Sequence, residues 1–470
     1  MSAVALPRRR RAPTAVRRFA SDRTSALFVA VSFLGVSTPQ ALNFMRIVPV
    51  AGVLLLVALH LAGGTVARVR LVLTPVLLVA WLACTTLWSD GPGMSVVQSI
   101  STVLVVLLAA IVGTAIGFRP LVRGIALGGL LVLGLSLVVA VVSPATGLMP
   151  DGYQGGALRG LYVHRNLLSE VLTPAYIAAL ATAFERPRRL LKRLALSGVL
   201  LGGILLTRSS TAFAAVLAAT AVAVLVFAVQ RVPRRYRRLP LLGAAAVVGG
   251  GTALVAADPG NVLALLGRDS TLTGRALIWQ VVQGLIAERP ISGYGWGATW
   301  YPSDRIRETV STLAKFDVPS AHNGYLDAWL QAGAIGLAAF LLLVLVVLVR
   351  GIGLLLRSES PLARWAPVYV SALLVYNIGE ANLDSSLVIF LLTATLTKLS
   401  VVRRDGDPSL EAPAESSPFA ERGVRTASRA AASRPRGPVR RGAGVVAPHG
   451  RRAKGSRRLG VPRGRAGRQA

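Results

Sequence analysis

The feature that most constrains this chain is a series of apolar stretches, separated by connections in which arginine recurs at every second one. A helix rises 1.5 Å per residue, so about 20 apolar residues cross the hydrocarbon core of a bilayer, with a working range of roughly 17 to 25. Twelve stretches are candidates: Thr24 to Thr38, Ile47 to Gly63, Leu71 to Trp88, Ser95 to Gly117, Leu121 to Val142, Leu167 to Phe184, Leu190 to Leu206, Thr211 to Val229, Leu239 to Ala256, Asn323 to Val349, Trp365 to Gly379, and Ser386 to Ser400. The first and the last two are short. Of the 470 residues 53% are hydrophobic and 15% charged, yet the net charge is +32. A soluble domain carries about 25% charged residues, so this chain cannot cover a water-facing surface in the ordinary way. A nucleic-acid binder of this charge would not be so apolar. A membrane protein with basic cytoplasmic parts satisfies both facts.

The connections test the count, because Lys and Arg collect on the cytoplasmic side. With the amino terminus inside, the inner connections hold Arg68 and Arg70, then Arg119 and Arg123, a cluster from Arg186 to Arg193, a cluster from Arg231 to Arg238, and finally Arg350, Arg357 and Arg364. The alternation requires an even number of crossings. The expected fold is therefore an all-α polytopic membrane protein with about twelve transmembrane helices, both termini cytoplasmic, and a large extracytoplasmic loop between the ninth and tenth helices. Residues 1–23 form a basic cytoplasmic lead-in without a cleavage pattern. Residues 24–256 carry spans one to nine, 257–322 the extracytoplasmic loop, and 323–400 spans ten to twelve. Residues 401–470, with 17 basic and 5 acidic residues, read as a disordered basic cytoplasmic tail. Its expected partner is anionic lipid, and no nucleic-acid partner is expected. The single cysteine, Cys84, excludes an internal disulfide framework and any multi-cysteine metal site.

Two outer segments exceed simple turns. Ser143 to Asn166 is glycine-rich. Ala257 to His322 is longer, and Ala276 to Ile286 within it reads as one amphipathic helix, begun by Thr273 and stopped at Pro290. Long outer loops are where a many-span protein places chemistry.

Arg208 falls in a very short outer hairpin. Either it snorkels to lipid phosphate or it holds an anion, and the scarcity of positive charge on this side favours the second. Arg275 opens the outer helix, where free N–H groups and a guanidinium make a phosphate cradle; the simpler reading is a surface salt bridge, perhaps to Glu288. His322 stands where the large loop re-enters the membrane and can take a proton near neutral pH. His60 and His449 read as structural, with His164 intermediate. Gly293-Tyr294-Gly295-Trp296-Gly297 reads as a compact turn, since it follows no strand. Asp405-Gly406-Asp407 has metal-ligand chemistry but falls in the tail. Glu170, Asp327 and Glu380 lie near outer span ends, where any of them can orient His322 or an acceptor hydroxyl.

Arg275-Ala-Leu-Ile-Trp279, continuing through Glu288-Arg289-Pro290-Ile-Ser-Gly293-Tyr-Gly295, and then His322-Asn323 followed by nine residues and Gly333-Ala-Ile-Gly336, resembles the O-antigen ligase and polysaccharide polymerase superfamily. The Thr-Gly-Arg and Ala-His-Asn forms, with His164-Arg165-Asn166, look most like its exopolysaccharide-polymerase branch. The resemblance is richest over Arg159 to Gly336. It implies a twelve-span glycosyltransferase of the cytoplasmic (inner) membrane with its active site on the extracytoplasmic face. The implied donor is an oligosaccharide on undecaprenyl pyrophosphate, the acceptor another glycan, and the reaction metal-independent with inversion and no cofactor. Matched residue by residue, Arg208 and Arg275 would bind pyrophosphate and His322 would be the base or a further pyrophosphate contact. Asn323, Arg159, His164, Arg165, Tyr294 and Glu380 are the substrate-binding candidates. A ligase using the same donor on lipid A core, peptidoglycan or protein is the alternative within the class. A transporter of lipid-linked glycan is the alternative outside it; transporters place their unusual polar residues near the bilayer midplane, whereas here they gather at the outer face.

Overall fold

The computed structural model describes residues 22–37, 51–52, 69–151, 155–183, 190–246, 275–301 and 304–405. Among these the regular structure is helical, with one isolated antiparallel bridge between Leu148 and Leu158. The helices are α1 (Asp22–Val36), α2 (Leu73–Cys84, extended by a 3-10 turn Thr85–Trp88), α3 (Pro92–Ala115), α4 (Phe118–Val142), α5 (Arg165–Ala183) and α6 (Leu190–Leu206). They continue as α7 (Ser210–Arg231), α8 (Arg275–Glu288), α9 (Arg305–Ala314), α10 (Gly324–Leu355), α11 (Pro361–Gly379) and α12 (Ser386–Asp405).

Four of them, α3, α4, α7 and α10, are long and apolar enough to cross a membrane. Helices also stand where the sequence places the first, third, sixth, seventh, eleventh and twelfth stretches. These are shorter or more polar, as in α5 with Arg165, Glu170 and Pro174 and in α11 with Arg364 and Pro367. The second stretch, Ile47 to Gly63, lies almost wholly outside the described residues, as does the ninth beyond a helix over 238–246. So do residues 1–21, Thr273, His60 and His449, and the tail from residue 406, including the second half of Asp405-Gly406-Asp407.

Lipid gives apolar helices no solvent-driven reason to associate, so close packing must supply the contact, and small residues permit it. A Cβ at Gly124 of α4 would stand 2.4 Å from Val29 Cβ of α1, and one at Gly113 of α3 would stand 2.6 Å from the Ala394 carbonyl of α12. Either glycine is a place where two backbones meet.

The loop that follows α8 is tied into the bundle through a break in α10. Gly333 takes φ 69°, ψ −178°, and interrupts the helical hydrogen bonding. The freed carbonyls are taken up from outside: Tyr294 N–H donates to Leu330 O (3.0 Å), Gly295 N–H to Gln331 O (2.9 Å), and the Trp81 indole to Ala332 O (2.8 Å). The freed Ala334 N–H donates to Pro290 O at 2.9 Å. A Cβ at Gly333 would lie 1.9 Å from Ile291 O, so the position must be glycine for both its φ and its contact. The Gly-Tyr-Gly-Trp-Gly segment is a compact turn, as its sequence suggests, and its glycines sit against this break, Ser89 and Gln98. Next to it α9 is a second helix between α8 and α10 that the sequence reading does not anticipate. Asp304 caps it, accepting from Ile306 N–H and Arg307 N–H.

At one end of the bundle α7 ends, α10 ends and α11 begins. There Arg237, 2% exposed, donates to the carbonyls of Val232, Leu355 and Gln230 and to Glu359 Oε1 at 2.7 Å. The starts of α5, α7 and α10 and the end of α11 meet at the opposite end.

Candidate active site

The join between α10 and α11 sets the site. Gly324 N–H donates to Glu380 O (3.1 Å), and Glu380 N–H donates to Tyr376 O (3.0 Å), so the last residue of one helix lies on the first of the other. This approach needs Gly324, where a Cβ would fall 1.8 Å from Asn377 Oδ1. Asn323 caps α10, its Oδ1 accepting from Tyr325 N–H and Leu326 N–H. His322 precedes it in the left-handed region at φ 48°, where a histidine is uncommon. Asp327 Oδ1 fixes the bend by accepting from Ala321 N–H at 2.9 Å.

Glu380 is then the centre of a network. Its Oε1 accepts from Arg275 Nη2 (2.5 Å) and Asn166 Nδ2 (2.5 Å), and its Oε2 lies 3.1 Å from His322 Nδ1. The carboxylate is nearly buried, at 9% exposure, and joins three segments distant in sequence. It also selects a tautomer: with the Nδ1 proton donated to Glu380, the second imidazole nitrogen carries the lone pair. His164 sits beside this network, with its Nδ1 accepting from Asn166 N–H (3.3 Å). Burial holds His164 below the usual histidine range, with Arg165, His322 and Arg275 acting in the same direction and Glu380 against them.

A second junction braces the first. The Gln331 amide accepts from Gly297 N–H (2.9 Å) and donates to Asp327 Oδ2 and Asp384 Oδ2, both at 2.8 Å. One side chain thereby links the glycine-rich turn, the start of α10 and the segment after Glu380.

These groups border a cavity of about 1180 Å³. His164, Asn166, Arg275, His322 and Glu380 line it, together with residues of α1, α3 and α12 and of the segment between α8 and α10. Among the described residues, no group of three or more His, Cys, Asp or Glu side chains is arranged for a metal ion.

Residues 195–341 match the family model described as O-Antigen ligase. The exopolysaccharide production protein ExoQ of Rhizobium meliloti (strain 1021) is 29% identical over 354 residues, which are 68% of this chain and 76% of the relative. The chain is thus similar to the O-antigen ligase family over residues 195–341 and, over about two thirds of its length, to an exopolysaccharide production protein.

The part matching the O-antigen ligase family includes Arg208, Arg275, His322 and Asn323, while His164, Asn166 and Glu380 lie outside it. The fold brings Arg275, His322, His164 and Glu380 together. Arg275 pairs with Glu380 rather than Glu288, which accepts from Tyr294 OH instead. Arg208 is exposed at φ 51°, and its Nη1 donates to Gly155 O at 3.0 Å. Its turn nevertheless adjoins the site, because Thr211 Oγ1 and Arg275 Nη1 lie 2.8 and 3.2 Å from where a Gly379 Cβ would stand. Arg165 is buried and donates to the carbonyls of Thr207 and Arg208, so it shapes that turn.

Like Arg165, three further substrate-binding candidates lie away from the cavity wall. Arg159 donates to the carbonyls of Ala145, Thr146 and Val163 and ties the glycine-rich segment together. Tyr294 is buried, its hydroxyl on Leu285 O and Glu288, with the Arg289 guanidinium 4.6 Å from its ring centre. Asn323 serves its helix cap, as described above. The sequence reading misses Asn166, Gln331 and Asp384. A glutamine inside an apolar stretch, two residues before Gly333, was the signal available for Gln331.

Proposed function

We propose that the chain is a membrane glycosyltransferase that polymerises polyprenyl-pyrophosphate-linked glycan, in the manner of exopolysaccharide and O-antigen polymerases. In this reading it has twelve spans in the cytoplasmic membrane, both termini inside, and residues 257–322 as the extracytoplasmic catalytic loop. The basic segments 1–23 and 401–470 face the cytoplasm, the tail against anionic lipid. The observation that carries the reading is the Glu380 carboxylate holding Arg275 and His322 together on a cavity large enough for a glycan. The printed name of ExoQ, an exopolysaccharide production protein, supports it.

The acceptor hydroxyl oxygen attacks the anomeric carbon from the face opposite the pyrophosphate, which inverts the configuration. Its proton passes to the free nitrogen of His322, while Nδ1 keeps its own proton, donated to Glu380, whose carboxylate stabilises the imidazolium that forms. The anomeric C–O bond breaks with its electron pair on pyrophosphate. Arg275, with Arg208 on the neighbouring turn, meets that charge without a metal.

A ligase passing the same donor to lipid A core, peptidoglycan or protein would use the same groups. The transport reading finds one point of contact in the broken α10, since broken helices hold transporter substrates. Here the freed carbonyls of Leu330, Gln331 and Ala332 and the Ala334 N–H are taken by Tyr294, Gly295, Trp81 and Pro290, so the break is used to hold the loop. The deciding experiment supplies purified protein with a polyprenyl-pyrophosphate glycan. Release of polyprenyl pyrophosphate together with a lengthened glycan is expected, and movement of intact donor across the bilayer without release would overturn the proposal.

A further inference from the structure

Three walls of the cavity have three chemistries. Val36, Val105, Val171 and Leu387 contribute apolar lining, and Arg275, His322 and Glu380 a linked polar group. The third, from the outer loop, is of another kind: Trp300, Arg307, Phe316 and Asp317. Its arginine is not a second phosphate site. Arg307 Nε and Nη2 meet the two oxygens of Asp317 at 2.9 and 2.7 Å, and Nη1 donates to Trp300 O at 3.0 Å. A guanidinium bound along one edge by a carboxylate offers a flat polar plate of no net charge.

The plate is built rather than incidental. Asp304 caps α9 so that Arg307 lies in its first turn, and Lys315 at φ 62° reverses the chain after the helix. Val318 N–H then donates to Ser311 Oγ (3.0 Å), which lays Phe316 and Asp317 back along α9. Phe316 is 50% exposed, and the Asp317 side chain 69%. An exposed aromatic ring beside a fixed planar polar pair suits a pyranose, whose C–H face packs on the ring and whose adjacent hydroxyls bond along the plate.

We propose that this outer-loop wall is a binding subsite for uncharged pyranose units of the glycan, separate from the Arg275–His322–Glu380 group. The subsite rests on the glycosyl-transfer reading for its biological use, but binding of sugar there is measurable without transfer. Donor glycan and acceptor glycan share this chemistry, and kinetics separate them.

The probe is the oligosaccharide released by mild acid from the producing strain's own polyprenyl-pyrophosphate pool, titrated calorimetrically into full-length protein in detergent. Phe316→Ala and Asp317→Asn, both at exposed side chains, should each weaken binding about tenfold. Phe316→Trp should restore it, which a general folding defect in Phe316→Ala would not allow. Arg275→Ala should still bind the free oligosaccharide while losing transfer. In the transfer assay Phe316→Ala should raise one KM with kcat nearly constant. A rise in the donor KM places the donor glycan on this wall, and a rise in the acceptor KM places the acceptor there. Unchanged oligosaccharide binding and unchanged KM values in both variants, with normal wild-type transfer, would overturn the subsite. Wild-type protein that binds the oligosaccharide but transfers nothing would overturn the transfer reading and leave the subsite standing.

Discussion

Two arginine–glutamate pairs close opposite ends of the bundle, and they are built inside out relative to each other. In one, Arg237 is buried at 2% exposure with every nitrogen on an acceptor, while its partner Glu359 stands in solvent at 62%. In the other, the carboxylate of Glu380 is buried at 9% and Arg275, at 28%, borders the cavity. Burying the cation makes a clamp, because its donors are all consumed by the fold. Burying the anion makes a mount, because the cation keeps an open side for a ligand that carries more charge than Glu380 does.

The strongest way to break this contrast is to remove each arginine. Arg275→Ala should lower transfer roughly 10²- to 10³-fold, the usual effect of deleting one group that meets developing negative charge, with a smaller loss of stability because Asn166 and His322 still hold the Glu380 carboxylate. Arg237→Ala should do the reverse, costing about 3 kcal/mol as its buried carbonyl partners lose their donor, while whatever protein folds keeps its kcat. Polyprenyl-pyrophosphate release and thermal unfolding in detergent read the two effects. Equal stability losses in both variants would erase the distinction between clamp and mount.

The carboxylates offer a smaller contrast. Glu380→Gln keeps its volume but no longer fixes the His322 proton, so transfer should fall about a hundredfold. Glu359→Gln, at an exposed position, should change stability by no more than about 0.5 kcal/mol. The same pair of assays decides, and a Glu380→Gln variant with wild-type turnover would remove His322 tautomer control from the mechanism.

The smallest effect concerns pH. Burial lowers the pKa of His164 in the folded protein, so its contribution to stability is complete above the ordinary value of 6.5 and is lost as pH falls through and below it. The unfolding midpoint should therefore drop between about pH 7.5 and 5.5, and drop less in His164→Gln. Hydrogen exchange should show the start of α5 loosening in acid before the Arg237 clamp does.

The helices were legible because each crossing must satisfy its backbone within one apolar stretch, and hydropathy reports that directly. The break at Gly333 was not legible. Its neighbours Ala334, Ile335 and Gly336 keep the stretch apolar, and the groups that repair it come from residues 290 to 295 and from Trp81. The helix α9 had a signal that the reading passed over, since Ile306, Val310 and Leu313 recur at helical spacing behind the capping Asp304. In the site, residue types and spacing singled out Arg275 and His322, but their meeting at Glu380 depends on tertiary packing across 105 and 58 residues. Tyr294 and Arg159 show the converse. They stand in the same motif-rich stretch, yet their polar groups serve the turns that hold the loop in shape.

The break in α10 also sets a height. The part from Ala334 to Leu355 is by itself about 33 Å long, close to the roughly 30 Å of the hydrocarbon core. In the proposed reading everything before Gly333, including His322, Asp327 and Gln331, then stands at the level of the lipid headgroups. The proposed pyrophosphate donor, anchored by its polyprenyl tail, would rest at that same level, so that it would reach Arg275 by sideways diffusion, without being lifted from the bilayer.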